Sequence, residues 1–384
     1  MTENASGMQP LDALHWEMFL RGAVAGLLAF HLVQLALHRA RPAARLALGA
    51  FTASVLAYLF CQQAELLLNL PRPLTLLLMA LCVGTTAWMW AAARALFDDD
   101  FRFSRLVVSA IVAMTALGLA ANLPYLPEGD GPFVEHAPDS AVAWLNRLHA
   151  AAMLAFTAAA LWEVGHGWRD DLVATRRAAR RWVAMGIGLY AALALVIELA
   201  LRGQTVGRLL PALHVAGIGL VALGLAVVVA RRSLDEILGR PDARAEARAV
   251  VVDRKPAAAA EAPTTREGQA LSRLTAAMTE GQLYRVEGLT LAALAEKLGL
   301  GEAALRELIN QRLGYRNFND FLHHHRLQEA QVRLANEDLP ILTIALECGY
   351  GSIGPFNRAF RQRTGMTPSE FRGASRLAKG PATH

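Results

Sequence analysis

A chain of 384 residues has room for two or three domains, and with 54% hydrophobic residues it is too apolar to be one ordinary soluble globule. A net charge of +5 calls for an anionic partner, lipid headgroups or nucleic acid, without choosing between them. Cys61, Cys82 and Cys348 show no paired spacing, which supports neither a disulfide framework nor a zinc site, and no metal or cofactor is expected.

The first twenty residues hold no Lys or Arg, so the basic start of a cleaved signal peptide is missing and the first apolar segment is expected to stay attached. Seven apolar stretches of about bilayer-spanning length follow, near 17–37, 46–68, 74–96, 106–123, 142–164, 182–201 and 209–230. The loops that would face the cytoplasm carry thirteen arginines: Arg39, Arg41, Arg45, Arg94, Arg102, Arg105, Arg169, Arg176, Arg177, Arg180, Arg181, Arg231 and Arg232. The opposite loops carry three, Arg72, Arg202 and Arg208, and the longest of them holds only acids. That asymmetry puts the N-terminus outside and the C-terminus inside.

Ionisable residues inside spans are costly, so Arg21, Glu65, His149, Glu198 and His214, together with Arg147, are candidate linings of one ligand pocket; snorkelling to the interface is the alternative for those near span ends. Gly22 and Gly26 form a small-residue pair suited to close helix packing. The first lysine of the chain is Lys255, which excludes a retinal-type Schiff base in a late span, and neither HExxH nor a P-loop occurs. No enzyme is expected.

From 231 to 268 the apolar runs stop and Ala, Pro, Arg and Glu dominate, with Pro241, Pro256 and Pro263 blocking a long helix; this reads as a flexible tether. Beyond it, "LTLAALAEKLGLGEAALRELINQRLG" places Leu291, Leu294, Ala295 and Leu298 at helical spacing behind an N-cap at Thr290, with Gly299 as a left-handed C-cap. A second helix from about Glu302 buries Leu305, Leu308 and Ile309 and leaves Ala303, Arg306, Glu307 and Asn310 outside. Fifty residues later "TIALECGYGSIGPFNRAFRQRTGMTP" repeats the pattern: Ile344, Ala345 and Cys348 inside, Gly349 as the stop, and a helix starting near Pro355. The outer stripe of that helix is Asn357, Arg358, Arg361 and Gln362, beside Arg363.

Between the two patterns, "NFNDFLHHHRLQEAQVRLANED" predicts one long helix, a rod of about 25 Å able to hold two reading helices about one DNA turn apart. Consecutive residues of a helix point about 100° apart, so His323, His324 and His325 cannot converge on one ion. They are assigned to a solvated, partly DNA-facing surface.

From Leu271 to Arg372, through "LAEKLGL", "FLHHHRLQEA" and "IALECGYGSIGPFNRAFRQRTGMTPSEFR", the chain resembles the AraC/XylS family of bacterial transcription regulators. The resemblance implies two helix-turn-helix units joined by a long helix, with the second helix of each unit in consecutive major grooves. It implies base-facing roles for Ala303, Arg306 and Glu307, then for Ile353, Gly354 and Arg358, with Asn357 on phosphate. Ile353 and Gly354 offer no hydrogen-bonding side chain, which leaves Arg358 as the base reader of the second unit. Arg361, Arg363, Arg372 and Arg376 suit sequence-independent phosphate attraction.

The expected fold class is therefore all-α: a seven-helix transmembrane bundle over 1–230, a linker over 231–268, and an α-helical DNA-binding domain with two helix-turn-helix units over 269–384. The expected function is membrane-tethered, sequence-specific transcription regulation. Double-stranded DNA, the bilayer, RNA polymerase, a small-molecule or membrane signal and a second copy of the chain are the expected partners. The alternative is a membrane transporter whose cytoplasmic helix-turn-helix end serves regulation or protein interaction.

Overall fold

The computed structural model describes residues 13–37, 41–126 except 62, 64–66 and 68, then 137, 139–200, 215–220 and 265–379. Among the described residues every element is helical except one antiparallel bridge between Asp171 and Asn317. They fall into two compact units. One holds the residues up to Trp168 and from Thr175 to 220; the other holds Arg169–Ala174 and the residues from 265 onward.

The first unit contains α1 (Ala13–Leu37), α2 (Pro42–Cys61), α3 (Arg72–Val83), α4 (Thr85–Phe97), α5 (Arg105–Asn122), α6 (Ala141–Gly165) and α7 (Ala174–Ala200). Helices α1, α2, α5 and α6 are each long and apolar enough to cross a membrane. The predicted stretch 74–96 is two helices, α3 and α4, bent by 52° at Gly84. At the bend the Thr85 hydroxyl donates back to the Cys82 carbonyl at 2.6 Å, and the close approach to α5 leaves no room for a side chain, since a Cβ at Gly84 would lie 2.8 Å from Thr115 Oγ1. The predicted stretch 182–201 lies in α7 as far as Ala200, with side chains described as far as Gly188, and 209–230 lies outside the described residues apart from 215–220. The linker 231–268 lies outside them up to 264.

Small residues dominate the core between α2, α4 and α6, where Ala44, Ala47, Ala87, Ala91, Ala92, Ala93, Ala95 and Ala160 are buried with Trp90 and Phe97. Gly22 and Gly26 are not at a close approach: among the described residues no atom lies within 4 Å of a Cβ built at either. Several of the loop arginines are structural. Arg41 donates to the Ala95 and Asp98 carbonyls, both at 3.0 Å. Arg176 pairs with Asp99 at 2.8 Å and also reaches the Phe97 carbonyl. Arg180 donates to the Val164 and His166 carbonyls at 2.8 and 2.9 Å with its guanidinium 4.4 Å from the Phe97 ring centre. Cations at helix C-termini offset the carbonyls that have no partner within the helix, so these arginines close the ends of α4 and α6.

The second unit contains α8 (Thr265–Thr279), α9 (Leu291–Leu298), α10 (Glu302–Glu307), α11 (Phe318–Asn336), α12 (Ile341–Glu347), α13 (Ile353–Thr364) and α14 (Pro368–Lys379). Glu267 on α8 makes a two-point ion pair with Arg312 at 2.6 and 3.0 Å. The rod predicted from the sequence is α11, and its two halves belong to different cores. Phe318, Phe321 and Leu322 pack with Leu274, Leu294, Leu305 and Ile309; Leu327, Ala330 and Leu334 pack with Ile344, Ala345, Phe356 and Phe360.

Candidate nucleic-acid interface

Helix α9 starts where Thr290 Oγ1 accepts from Ala293 N–H at 3.2 Å, and it ends at Gly299, whose φ of +63° places it in the left-handed region. The turn delivers α10, on which Leu305 is fully buried, as is Ile309 just beyond it, while Ala303 and Glu307 are exposed. One π-helical stretch, Leu308–Arg312, extends α10. Asn310 is half-buried, and its amide donates to the Tyr315 carbonyl at 2.9 Å, tying down the turn into α11. Glu307 accepts from Gln311 Nε2 at 3.0 Å.

Arg306 is half-buried and multiply engaged. Its Nη1 donates to the Arg169 and Asp171 carbonyls at 2.8 and 3.0 Å, and its Nη2 pairs with Glu302 one turn earlier. The segment it meets, Arg169–Ala174, belongs to this unit. The sequence reading has Arg169 as a topology marker and assigns no role to Asp170, Asp171 or Leu172. Only the apolar Leu172 and Val173 after two aspartates hint at a buried anchor.

The second helix pair is built on the same plan with a tighter stop. Gly349 has φ +91°, and a Cβ there would lie 2.7 Å from the carbonyl oxygens of both Tyr284 and Arg285. Backbone conformation and close approach therefore both require glycine. Helix α13 starts at Ile353, two residues before the expected Pro355, and buries Phe356 and Phe360. Asn357, Arg358, Arg361, Gln362 and Arg363 are all exposed on it, as the sequence predicts. Ile353 turns inward onto the second core, and the Arg358 guanidinium lies over Gly354, 3.6 Å from where a Cβ would be. Arg372 donates to the Leu339 carbonyl at 2.7 Å and Arg376 pairs with Asp338, so these two tie α14 to the chain entering α12.

The histidines depart from the surface role assigned to them. Spaced about 100° apart on α11, each reaches a different neighbour. His323 stacks on Tyr350 and lies 3.0 Å from its hydroxyl; His324 Nδ1 lies 2.8 Å from Arg363 Nη2; His325 stacks on Tyr284. Burial, with Arg326 nearby, pushes His323 down to about 4; burial, with Arg363 and His325, does the same to His324. His325 is lowered by burial. Arg326, which is buried, donates to the Tyr284 and Val286 carbonyls at 2.6 and 2.9 Å and faces the Tyr350 ring. These contacts couple α11 to both helix pairs at one point.

Of the pocket candidates in the first unit, Arg21 forms a buried ion pair with Glu17 and donates to the Leu59 carbonyl at 2.7 Å, and Gln63 approaches the same carboxylate at 3.5 Å. The pair was legible as Glu and Arg at i, i+4 on one helix face. Buried His149 places Nε2 3.3 Å from the Val83 carbonyl, beside the break between α3 and α4. Glu65 and His214 lie outside the described residues, as does the side chain of Glu198. Among the described residues no group of three or more potential ligands could hold a metal ion.

Residues 294–374 match the family described as a helix-turn-helix domain. HTH-type transcriptional regulators of Staphylococcus aureus strains COL and MRSA252 are each 35% identical over 92 residues, which is 24% of this chain and 12% of theirs. A Proteus vulgaris protein named "Probable transcription factor PqrA" is 33% identical over 93 residues, 24% of this chain and 75% of its own length. The chain thus spans about an eighth of the staphylococcal relatives' length. No solved structure matches it.

Proposed function

The chain belongs to the AraC-type helix-turn-helix transcription regulators, and from that premise we propose that it is a membrane-tethered regulator whose C-terminal unit binds specific DNA sequences. The observation that carries this reading is α13: Asn357, Arg358, Arg361 and Gln362 stand exposed on its outer stripe with exposed Arg363 beside it, while Phe356 and Phe360 are fully buried on the inner side. A guanidinium on a rigid helix face supplies the bidentate donors that read a guanine edge, and neighbouring guanidiniums supply phosphate contacts. We assign base reading to Arg358 and, in the first pair, to Arg306 with Ala303 and Glu307. Phosphate contact is assigned to Asn357 and Arg361. Asn310 and Ile353 are given structural roles instead.

The apolar helices of the first unit are read as the membrane anchor, with the C-terminal unit in the cytoplasm, and as the part that receives a signal. The test is selection of a random-sequence duplex library by the full chain in lipid nanodiscs. A defined motif is expected, with Arg358→Ala losing about 1–3 kcal/mol and relaxing one position. Arg361→Ala is expected to weaken binding evenly and reduce the salt slope by about 1. Enrichment of no sequence at physiological salt overturns the proposal.

A further inference from the structure

The segment Arg169–Leu172 is held against the first helix pair by more than one kind of contact. Its backbone pairs with the start of α11: Leu172 N–H donates to the Arg316 carbonyl at 2.9 Å, and Phe318 N–H donates to the Asp170 carbonyl at 2.8 Å. Asn319 Nδ2 donates to the Asp170 carboxylate at 3.0 Å. Leu172 is buried in the first core with Leu305, Leu308 and Phe318. The carbonyls of Arg169 and Asp171 take Nη1 of Arg306, while Glu302 takes Nη2.

From these contacts we infer that residues 169–172 are an autoinhibitory strap that occupies the base-reading arginine of the first helix pair and must leave before that pair engages DNA. The inference rests on the reading of the C-terminal unit as a DNA reader. The terminal nitrogens of Arg306, which would donate to a guanine edge, are turned onto main-chain oxygens and a carboxylate. Asp170 and Asp171 outweigh Arg169 and give the strap a net charge of −1 beside the helix that would meet a polyanion, which adds a small electrostatic opposition to the occupancy. The contact is small enough to be reversible: two main-chain bonds, one bond from Asn319, two from Arg306 and one apolar anchor hold the strap. In sequence the strap lies between α6 and α7, so a rearrangement of those helices acts on it directly.

The test uses the full chain in nanodiscs and the duplex enriched from a random-sequence library. In the Asp170→Cys, Asn319→Cys pair, copper phenanthroline with dioxygen as oxidant closes a disulfide across the contact, and dithiothreitol opens it. Closure is expected to weaken binding by at least about tenfold and reduction to restore it, while the parent, with its Cys61, Cys82 and Cys348, and each variant carrying only one of the two substitutions are indifferent to oxidant. Leu172→Ser, which removes the anchor, is expected to bind at least about tenfold more tightly than the parent. If that variant unfolds, the disulfide pair decides alone. Equal binding by the closed and open forms overturns the strap while leaving DNA recognition intact. Failure of every form, closed or open, to enrich any sequence overturns the DNA-reading function itself.

Discussion

Replacing Gly349 by alanine sets backbone and packing requirements against each other at a known geometry. The left-handed φ of +91° costs an L-residue roughly 1–2 kcal/mol. The new Cβ would also sit 2.7 Å from two carbonyl oxygens, those of Tyr284 and Arg285, and one of these already accepts from buried Arg326. Relieving that overlap moves a turn held at several points, at roughly 1–3 kcal/mol for an overpacked site. The expected loss is about 2–5 kcal/mol. Gly299→Ala is the control: its φ of +63° is comparable, but nothing lies within 4 Å of its Cβ, so only about 1–2 kcal/mol is expected. All seven tryptophans lie at or before Trp182, so their fluorescence does not report on this region. Amide hydrogen exchange of peptides from 283–350 in the intact chain does, because local opening free energies are read directly. Equal losses in the two variants, within about 0.5 kcal/mol, would refute the claim that close approach adds to conformation at Gly349.

Two further outcomes follow from groups the sequence under-described. His323 and His324 titrate near 4 when folded against 6.5 when free, so the unfolded state binds more protons between those values. Stability is therefore complete above pH 6.5 and falls as pH drops toward 4, by on the order of 1–3 kcal/mol per ring. Calorimetric unfolding should show that slope in the parent and a flatter one after His323→Gln with His324→Gln; a parent curve flat down to pH 4 contradicts it. In the first unit, Arg21→Met leaves Glu17 buried without its partner and should cost about 3–5 kcal/mol, whereas Arg21→Met with Glu17→Leu should recover most of it. Thermal unfolding in detergent compares the two, and equal midpoints would show that the pair contributes little.

What could be read from the sequence was what periodicity and capping encode. The α9 and α10 pair, the rod α11 and the exposed stripe of α13 follow from 3.6-residue spacing, from Thr290 and from the two stop glycines, all local signals. The bend at Gly84 was written in "VGTT", but the run was apolar enough to pass for one straight span. The roles of Arg326, of the three histidines and of Asp170 to Leu172 were not legible, because each depends on partners dozens to more than a hundred residues away. Arg306 shows the limit most clearly. Its place on the outer stripe was readable, whereas its engagement by the 169 and 171 carbonyls depends on a contact across more than 130 positions.

Because α11 is shared by both cores, it fixes the phase between the two outer stripes as a caliper fixes a gap. Inserting one residue near His325 would rotate everything beyond it by about 100° and advance it by about 1.5 Å. No nearby substitution could restore the alignment. Substitutions can therefore change the chemistry of each stripe one side chain at a time, but the interval between the two stripes is locked to the length of a single uninterrupted helix.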